Sequence, residues 1–387
     1  MKFNNIISTI VLVSVIIFAS CRGDDEIVGS TNTEVTEPEE GTTEEGTTKI
    51  IGFYLLNEGN MGSNKATLDY FDYETGVYSK NIYAERNPNV VQELGDVGND
   101  LGVYGSKLYA VINCSNLLEV MDVDSGIHID VISIPNCRYI TFNEGYAYVS
   151  SYAGPIEIDP NARLGYIAKI DTATLQIVDT CNVGYQPEEM VIVNNKLYVA
   201  NSGGYMVPNY DNTISVVDLS TFKEIEKIEV AINLHRMEVD QYGNIWVSSR
   251  GDYYETSSST YVVSSDTHEV IKQFDFANSN MAIGGDSIYI CSSEYNYTTS
   301  TTDIYYAIID VQTMEVVTNN CITDGTDSDI TYPYGIEVNP LTKELFITDA
   351  KNFVTPGKLY CYGTDGVLKW SVTTGDIPSR IAFVYGE

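Results

Sequence analysis

From residue 50 onward the apolar positions follow a two-residue period, and helical spacing is almost absent. Short alternating runs are separated by Gly, Asn, Asp and Pro, a pattern that predicts antiparallel strands joined by turns. One strand type recurs, as in Phe53-Tyr54-Leu55-Leu56, Leu108-Tyr109-Ala110-Val111, Leu197-Tyr198-Val199-Ala200 and Leu345-Phe346-Ile347-Thr348. Its aromatic stands at positions 54, 109, 148, 198, 246, 289 and 346, so the copies lie 39 to 57 residues apart. After each copy come a second alternating strand, an Asp- or Gly-containing turn and a third strand, as at 214–218 and 225–228. Seven such units predict an all-β chain folded as a seven-bladed β-propeller. Further strands precede the aromatic copies, such as Glu189-Met190-Val191-Ile192 and Gly335-Ile336-Glu337-Val338, but none precedes the first. The C-terminus has a strand to spare, residues 378–384. Pairing of this C-terminal strand with the first blade, beside residues 50–57, would close the ring and remove an open sheet edge.

Residues 1–49 contain no blade. Lys2, the apolar run 6–19 and Ser20-Cys21 have the form of a secretory signal over residues 1–20. The run is shorter than the roughly 20 apolar residues a bilayer span needs. Ala19-Ser20-Cys21 resembles a bacterial lipobox, with Phe18 where that motif usually has Leu, which implies lipidation of Cys21. Residues 21–49 read as a flexible tether. Positions 22–49 hold nine acidic and two basic residues and few large apolar ones, so the segment repels itself and cannot form a core. An acidic run after the lipidated cysteine also resembles the surface-export signal of Bacteroidetes lipoproteins. It implies an outer-membrane anchor with the propeller, residues 50–387, facing the cell exterior.

Charge narrows the partners. With 21 Lys+Arg against 54 Asp+Glu the net charge is −33, which argues against nucleic acid and against docking on an anionic leaflet. Contact with the membrane is expected through the lipid alone. The three histidines, His128, His235 and His268, are scattered, and no zinc, P-loop, EF-hand or nucleophile-elbow motif is present. The chain reads as a binder without catalytic residues, metal or resident cofactor. Six cysteines follow Cys21. Cys114 and Cys137, in loops of neighbouring blades, are the one candidate disulfide, and the others read as small buried hydrophobes.

A propeller opens two loop sets on one face, around its axis. The loops that lead into the innermost strands carry Asn99-Asp100, Arg138-Tyr139, Glu188-Glu189, His235-Arg236, Ser279-Asn280, Tyr334-Gly335 and Ser379-Arg380. Unlike charges at equivalent positions admit two readings, a plug of mutual ion pairs or a set of ligand contacts. Glu188-Glu189 is the nearest approach to an acid–base couple, though pairing with arginine explains it more simply. Loops between second and third strands are rich in Tyr, Asn, Ser and Gly, the composition of adaptable binding loops. The candidate ligand contacts are Arg138, Tyr152, Tyr205, Arg236, Arg250, Tyr254, Tyr295, Tyr334 and Arg380.

Residues 50–387 resemble the YncE-like seven-bladed propellers, most closely at Lys196-Leu-Tyr-Val-Ala-Asn201 and Thr213-Ile-Ser-Val-Val-Asp-Leu-Ser-Thr221. The lipobox, the acidic tether and the opening Asn57-Glu58-Gly59-Asn60 further resemble the BtuG-type surface lipoproteins of Bacteroides. That resemblance implies cobalamin (vitamin B12) as bound ligand on one propeller face and handover to a TonB-dependent outer-membrane transporter. Two alternatives stand beside it, a surface enzyme of the lyase or lactonase kind and a glycan- or protein-interaction module.

Overall fold

Seven antiparallel sheets, six of four strands and one of five, are arranged in a ring in the computed structural model, which describes residues 31–36, 49–296 and 301–386. The signal segment and Cys21 lie outside the described residues. The innermost strands are Pro378–Gly386, Gly98–Tyr104, Cys137–Asn143, Pro187–Val193, Leu234–Val239, Asn280–Gly284 and Pro333–Val338. Each touches the next and the last touches the first, so the fold is a closed seven-bladed β-propeller. Helix among the described residues is confined to Ile82–Arg86 and one 3-10 turn, Thr326–Asp329.

Closure follows the sequence expectation. Pro378–Gly386 pairs antiparallel with Lys49–Asn57, from Asn57 opposite Pro378 to Lys49 opposite Gly386. The last strand of the chain is thus the first strand of blade one. The recurring aromatic is explained by the wedge-shaped gap between blades. Tyr54, Tyr109, Tyr148, Tyr198, Trp246 and Phe346 are fully buried, while Tyr289 is half-buried. Their polar tips reach across to fixed acceptors where these exist: Tyr54 Oη donates to the Val123 carbonyl at 2.8 Å and Trp246 Nε1 to Asp240 at 3.0 Å. The recurring aspartate ends the third strand of a blade. Asp171, Asp218 and Asp310 each accept the N–H groups two and three residues on, an Asx turn that tightens the outer hairpin.

Two expectations are corrected. The tether is not wholly free of the domain, because Thr31–Glu34 adds as a fifth strand to blade one, opposite Val77–Lys80. Alternating Thr, Asn and Glu leave that strand's side chains in solvent, but Val35 packs on the aromatic cluster of blades one and seven. Its low hydrophobicity hid the pairing, since an edge strand gains its backbone hydrogen bonds whatever its side chains. Cys114 and Cys137 form no disulfide, and all six described cysteines are free. Cys137 Sγ points at the carbonyls of Ile112 and Leu117, and it packs in the core with Cys181, Cys291, Cys321 and Cys361 buried likewise.

Phe53 sits where closure and core meet. Its ring lies 5.1 Å from those of Phe71 and Phe346 and 6.1 Å from Phe383, on three different strands. Phe53→Ala is expected to cost about 3–5 kcal/mol, read from urea unfolding followed by far-UV circular dichroism.

Candidate functional site

The axial residues are aimed by a backbone irregularity that recurs around the ring. In six blades the pairing of first and second strands slips at the start of the innermost strand. Two residues face one across each of four bulges, Arg138-Tyr139 against Ser150, Glu188-Glu189 against Ala200, His235-Arg236 against Ser248 and Tyr334-Gly335 against Thr348. Such bulges bend the strand and re-aim its side chains. The N–H groups left over are answered locally: Tyr139 N donates to Ser150 Oγ at 3.1 Å, Arg236 N to Ser248 Oγ at 3.0 Å and Gly335 N to Thr348 Oγ1 at 2.7 Å. Ahead of the bulge, Val97, Asn136, Gln186, Asn233 and Ile377 all adopt left-handed backbone, with φ between 45° and 60°. For β-branched Val97 and Ile377 this conformation is strained, and the surrounding hydrogen bonds hold it in place.

The bulges bring oppositely charged groups together over the axis. Glu188, with no exposed surface, receives Arg138 Nη2 at 3.1 Å, Arg250 Nη1 at 3.2 Å and the Tyr152 hydroxyl at 2.5 Å. Arg380 pairs with Asp100 at 3.1 Å and with Glu189, whose other oxygen accepts Met237 N. Tyr139 is the hub: Arg138, Arg236 and Arg380 stand 5.8, 5.2 and 5.7 Å from its ring centre, and its hydroxyl hydrogen-bonds His235 Nε2 at 2.8 Å. Tyr334 donates to both oxygens of Glu58, at 3.0 and 2.9 Å.

This environment fixes protonation states. Burial opposes ionisation of Glu188, yet Arg138, Arg250 and the Tyr152 hydroxyl outweigh it and hold the carboxyl below its usual range. It is a structural anion, not half of an acid–base couple. Burial, then the charges of Arg250, Arg236 and Arg138, keep His235 neutral. Burial also pushes Glu58 up to about 7.

Below the network, a cavity of about 400 Å³ runs along the axis, lined by Asp100, Glu189 and Arg380 at one end and by Glu238 and Glu337 further along. Burial raises Glu238 to about 8, helped by the charge of Glu337, and raises Glu337 to about 7. Both carboxyls lie two residues beyond the axial residues of their strands, so strict alternation along Leu234–Val239 and Pro333–Val338 marks them as axial.

The candidate contacts divide into two groups. Arg138, Tyr152, Arg236, Arg250, Tyr334 and Arg380 belong to the polar network that floors the face, with Arg250 the most solvent-exposed of its paired arginines. Tyr205 packs its ring edge 6.3 Å from Tyr152 and so lies at the border. Tyr254 and Tyr295 reach into solvent, 84% and 47% exposed. They join Met61, Val207, Tyr253 and Val354, also exposed and also at the ends of second strands or in the loops that follow them. The face is therefore a rigid charged floor inside a rim of large apolar and aromatic side chains. Glu58 and the Glu238–Glu337 pair escaped the sequence reading as site residues, and Tyr139 entered it only as a member of the axial ring. Glu58 stands in the quoted Asn57-Glu58-Gly59-Asn60 loop, and only burial makes it notable. Among the described residues no group of three or more His, Cys, Asp and Glu is placed to hold a metal ion.

Glu188→Gln leaves Arg138 and Arg250 without their carboxylate and is expected to cost about 3 kcal/mol in urea unfolding. Glu238 and Glu337 bind protons more tightly folded than unfolded, so stability falls as pH rises from about 4.5 through about 8. Glu238→Gln should flatten that decline, by on the order of 2 kcal/mol between about pH 6 and about pH 9, measured by thermal melts across pH.

Known proteins resemble the chain chiefly in fold. No curated protein matches it. Among solved structures, a quinonprotein alcohol dehydrogenase-like protein of Bacteroides thetaiotaomicron superposes with TM-score 0.58 at 17% identity, over 87% of this chain and 79% of that one. Hydrazine synthase of Kuenenia stuttgartiensis gives 0.55 at 14% identity, over 69% and 77%. AztD of Citrobacter koseri gives 0.51 at 11% identity, over 88% and 99%. At these identities the likeness is one of architecture. A domain family of unknown function, DUF5074, matches residues 51–376, most of the propeller, and this chain belongs to that family.

Proposed function

We propose that this chain is a non-enzymatic surface lipoprotein that binds cobalamin on its loop face and passes it to a TonB-dependent outer-membrane transporter. The reading includes a signal peptide at residues 1–20, lipidation at Cys21 and an outer-membrane location facing the exterior. The observation that carries it is the pairing of a stiff polar floor with an exposed aromatic rim. Cobalamin is large and amphipathic, with a flat ring and many peripheral amides. Tyr254, Tyr295 and Tyr205 offer rigid apolar area for the ring, and Arg250 with the loop Asn and Ser groups offers partners for the amides. A floor whose ion pairs are already made changes little on binding, which lowers the entropic cost of association.

A surface lyase or lactonase is the second reading, favoured by one observation, the raised carboxyls of Glu238 and Glu337 in the axial cavity. The two readings separate by location, because the rim and the cavity lie on opposite sides of the network.

Calorimetry with cyanocobalamin tests the first. Wild type is expected to bind, and the double variant Tyr254→Ala, Tyr295→Ala to bind at least about tenfold more weakly with an unchanged melting temperature. Unchanged affinity would remove the rim from the site, and red colour failing to co-elute with wild type on a desalting column would end the cobalamin reading.

A further inference from the structure

Arginine is unevenly placed on this acidic protein. Of the six arginines among the described residues, Arg138, Arg163, Arg236, Arg250 and Arg380 lie on or next to the loop face, and Arg86 alone lies elsewhere. Three of them are matched: Arg138 and Arg250 by Glu188, and Arg380 by Asp100 and Glu189. Arg236 is not. Its side chain is 6% exposed, and its Nε and Nη1 have no hydrogen-bond partner. The nearest carboxylate oxygen, Glu189 Oε1, is 3.9 Å from Nη1 and already serves Arg380. The Tyr139 ring lies 5.2 Å from the guanidinium carbon and supplies no acceptor lone pair. Buried donors left unmade are costly, and a guanidinium fork fits two oxygens of one anionic group.

We propose that Arg236 anchors a site for a small oxyanionic group (carboxylate, sulfate or phosphate) at the axis of the loop face. The site answers the two open donors of Arg236 and stands whether or not the rim binds a corrinoid. Glu58 tunes the site. Its carboxyl accepts from Tyr334 and feels the charges of Arg236, Arg138 and Arg380, so its ionisation competes with a bound anion for the same positive charge.

The test uses the full-length chain labelled with 15N-arginine, whose seven Nε–H signals are few enough to follow singly. Sulfate, whose charge is constant across neutral pH, is the first probe, and acetate and a phosphate diester are the others. Saturable shift of the Arg236 signal is expected, with affinity about tenfold weaker in Arg236→Lys and lost in Arg236→Gln. Sulfate acting alone marks a free-ion site, and response to the diester or acetate marks a group carried by a larger ligand. Glu58→Gln, which keeps the shape, should tighten sulfate binding and abolish its weakening between about pH 6 and about pH 8. No saturable shift in wild type with any probe overturns the site, as does wild-type affinity in Arg236→Gln. If Arg236→Gln melts too low to titrate, an unaltered pH response in Glu58→Gln overturns the proposal by itself.

Discussion

The pairing of the last strand with the first repeat governs everything else in this molecule. Each blade is a four-stranded sheet that contacts only its two neighbours, so an open array would leave a bare strand edge at one end and an uncovered blade face at the other. Joining Pro378–Gly386 to Lys49–Asn57 removes both at once. It also makes the seven innermost strands equivalent around one axis, and residues separated by hundreds of positions become neighbours. Arg380 beside Asp100 and Glu189, and Tyr334 on Glu58, are contacts that exist only because the ring is shut.

Given closure, the bulges decide what faces the axis. A regular strand would send alternate residues to the channel and the rest into the gaps between blades. The slip at the head of six innermost strands breaks that rule, and three of the bulges place a charged residue on the axial side. Charges so crowded are tolerable because they nearly cancel and are hydrogen-bonded to one another. The floor is accordingly stiff, and the variable chemistry of the face is displaced outward to the loops.

Much of the fold was legible in the sequence because it rests on local regularities. The aromatic of each second strand fills a gap between blades, an aspartate caps the turn of most outer hairpins, and the spare strand at residues 378–384 had only one place to pair. The strand Thr31–Glu34 was not legible, since its side chains carry no pattern and its stability comes from backbone pairing at an edge. The axial ring was visible as a list of residue pairs. Whether those pairs answered one another was not, because the partners of Arg138 or Arg380 depend on bulge geometry and on rotation around the ring. The polar floor and the exposed rim differ in burial, a property that Tyr152 and Tyr254 do not reveal in their local sequence.

The fifth strand of blade one would bear on how the body hangs, were Cys21 its anchor. Residues 31–34 are bonded to the outer circumference, so the leash from Cys21 to the first fastened residue is ten residues and at most about 35 Å when fully extended. The strand runs down Val77–Lys80 with Thr31 at the end nearer the loop face. Were Cys21 the anchor, a wheel moored by its tyre on so short a line would have restricted roll and tilt. If Cys21 bears the lipid, attachment on one side would favour a narrow range of approaches to whatever shares the membrane beneath it.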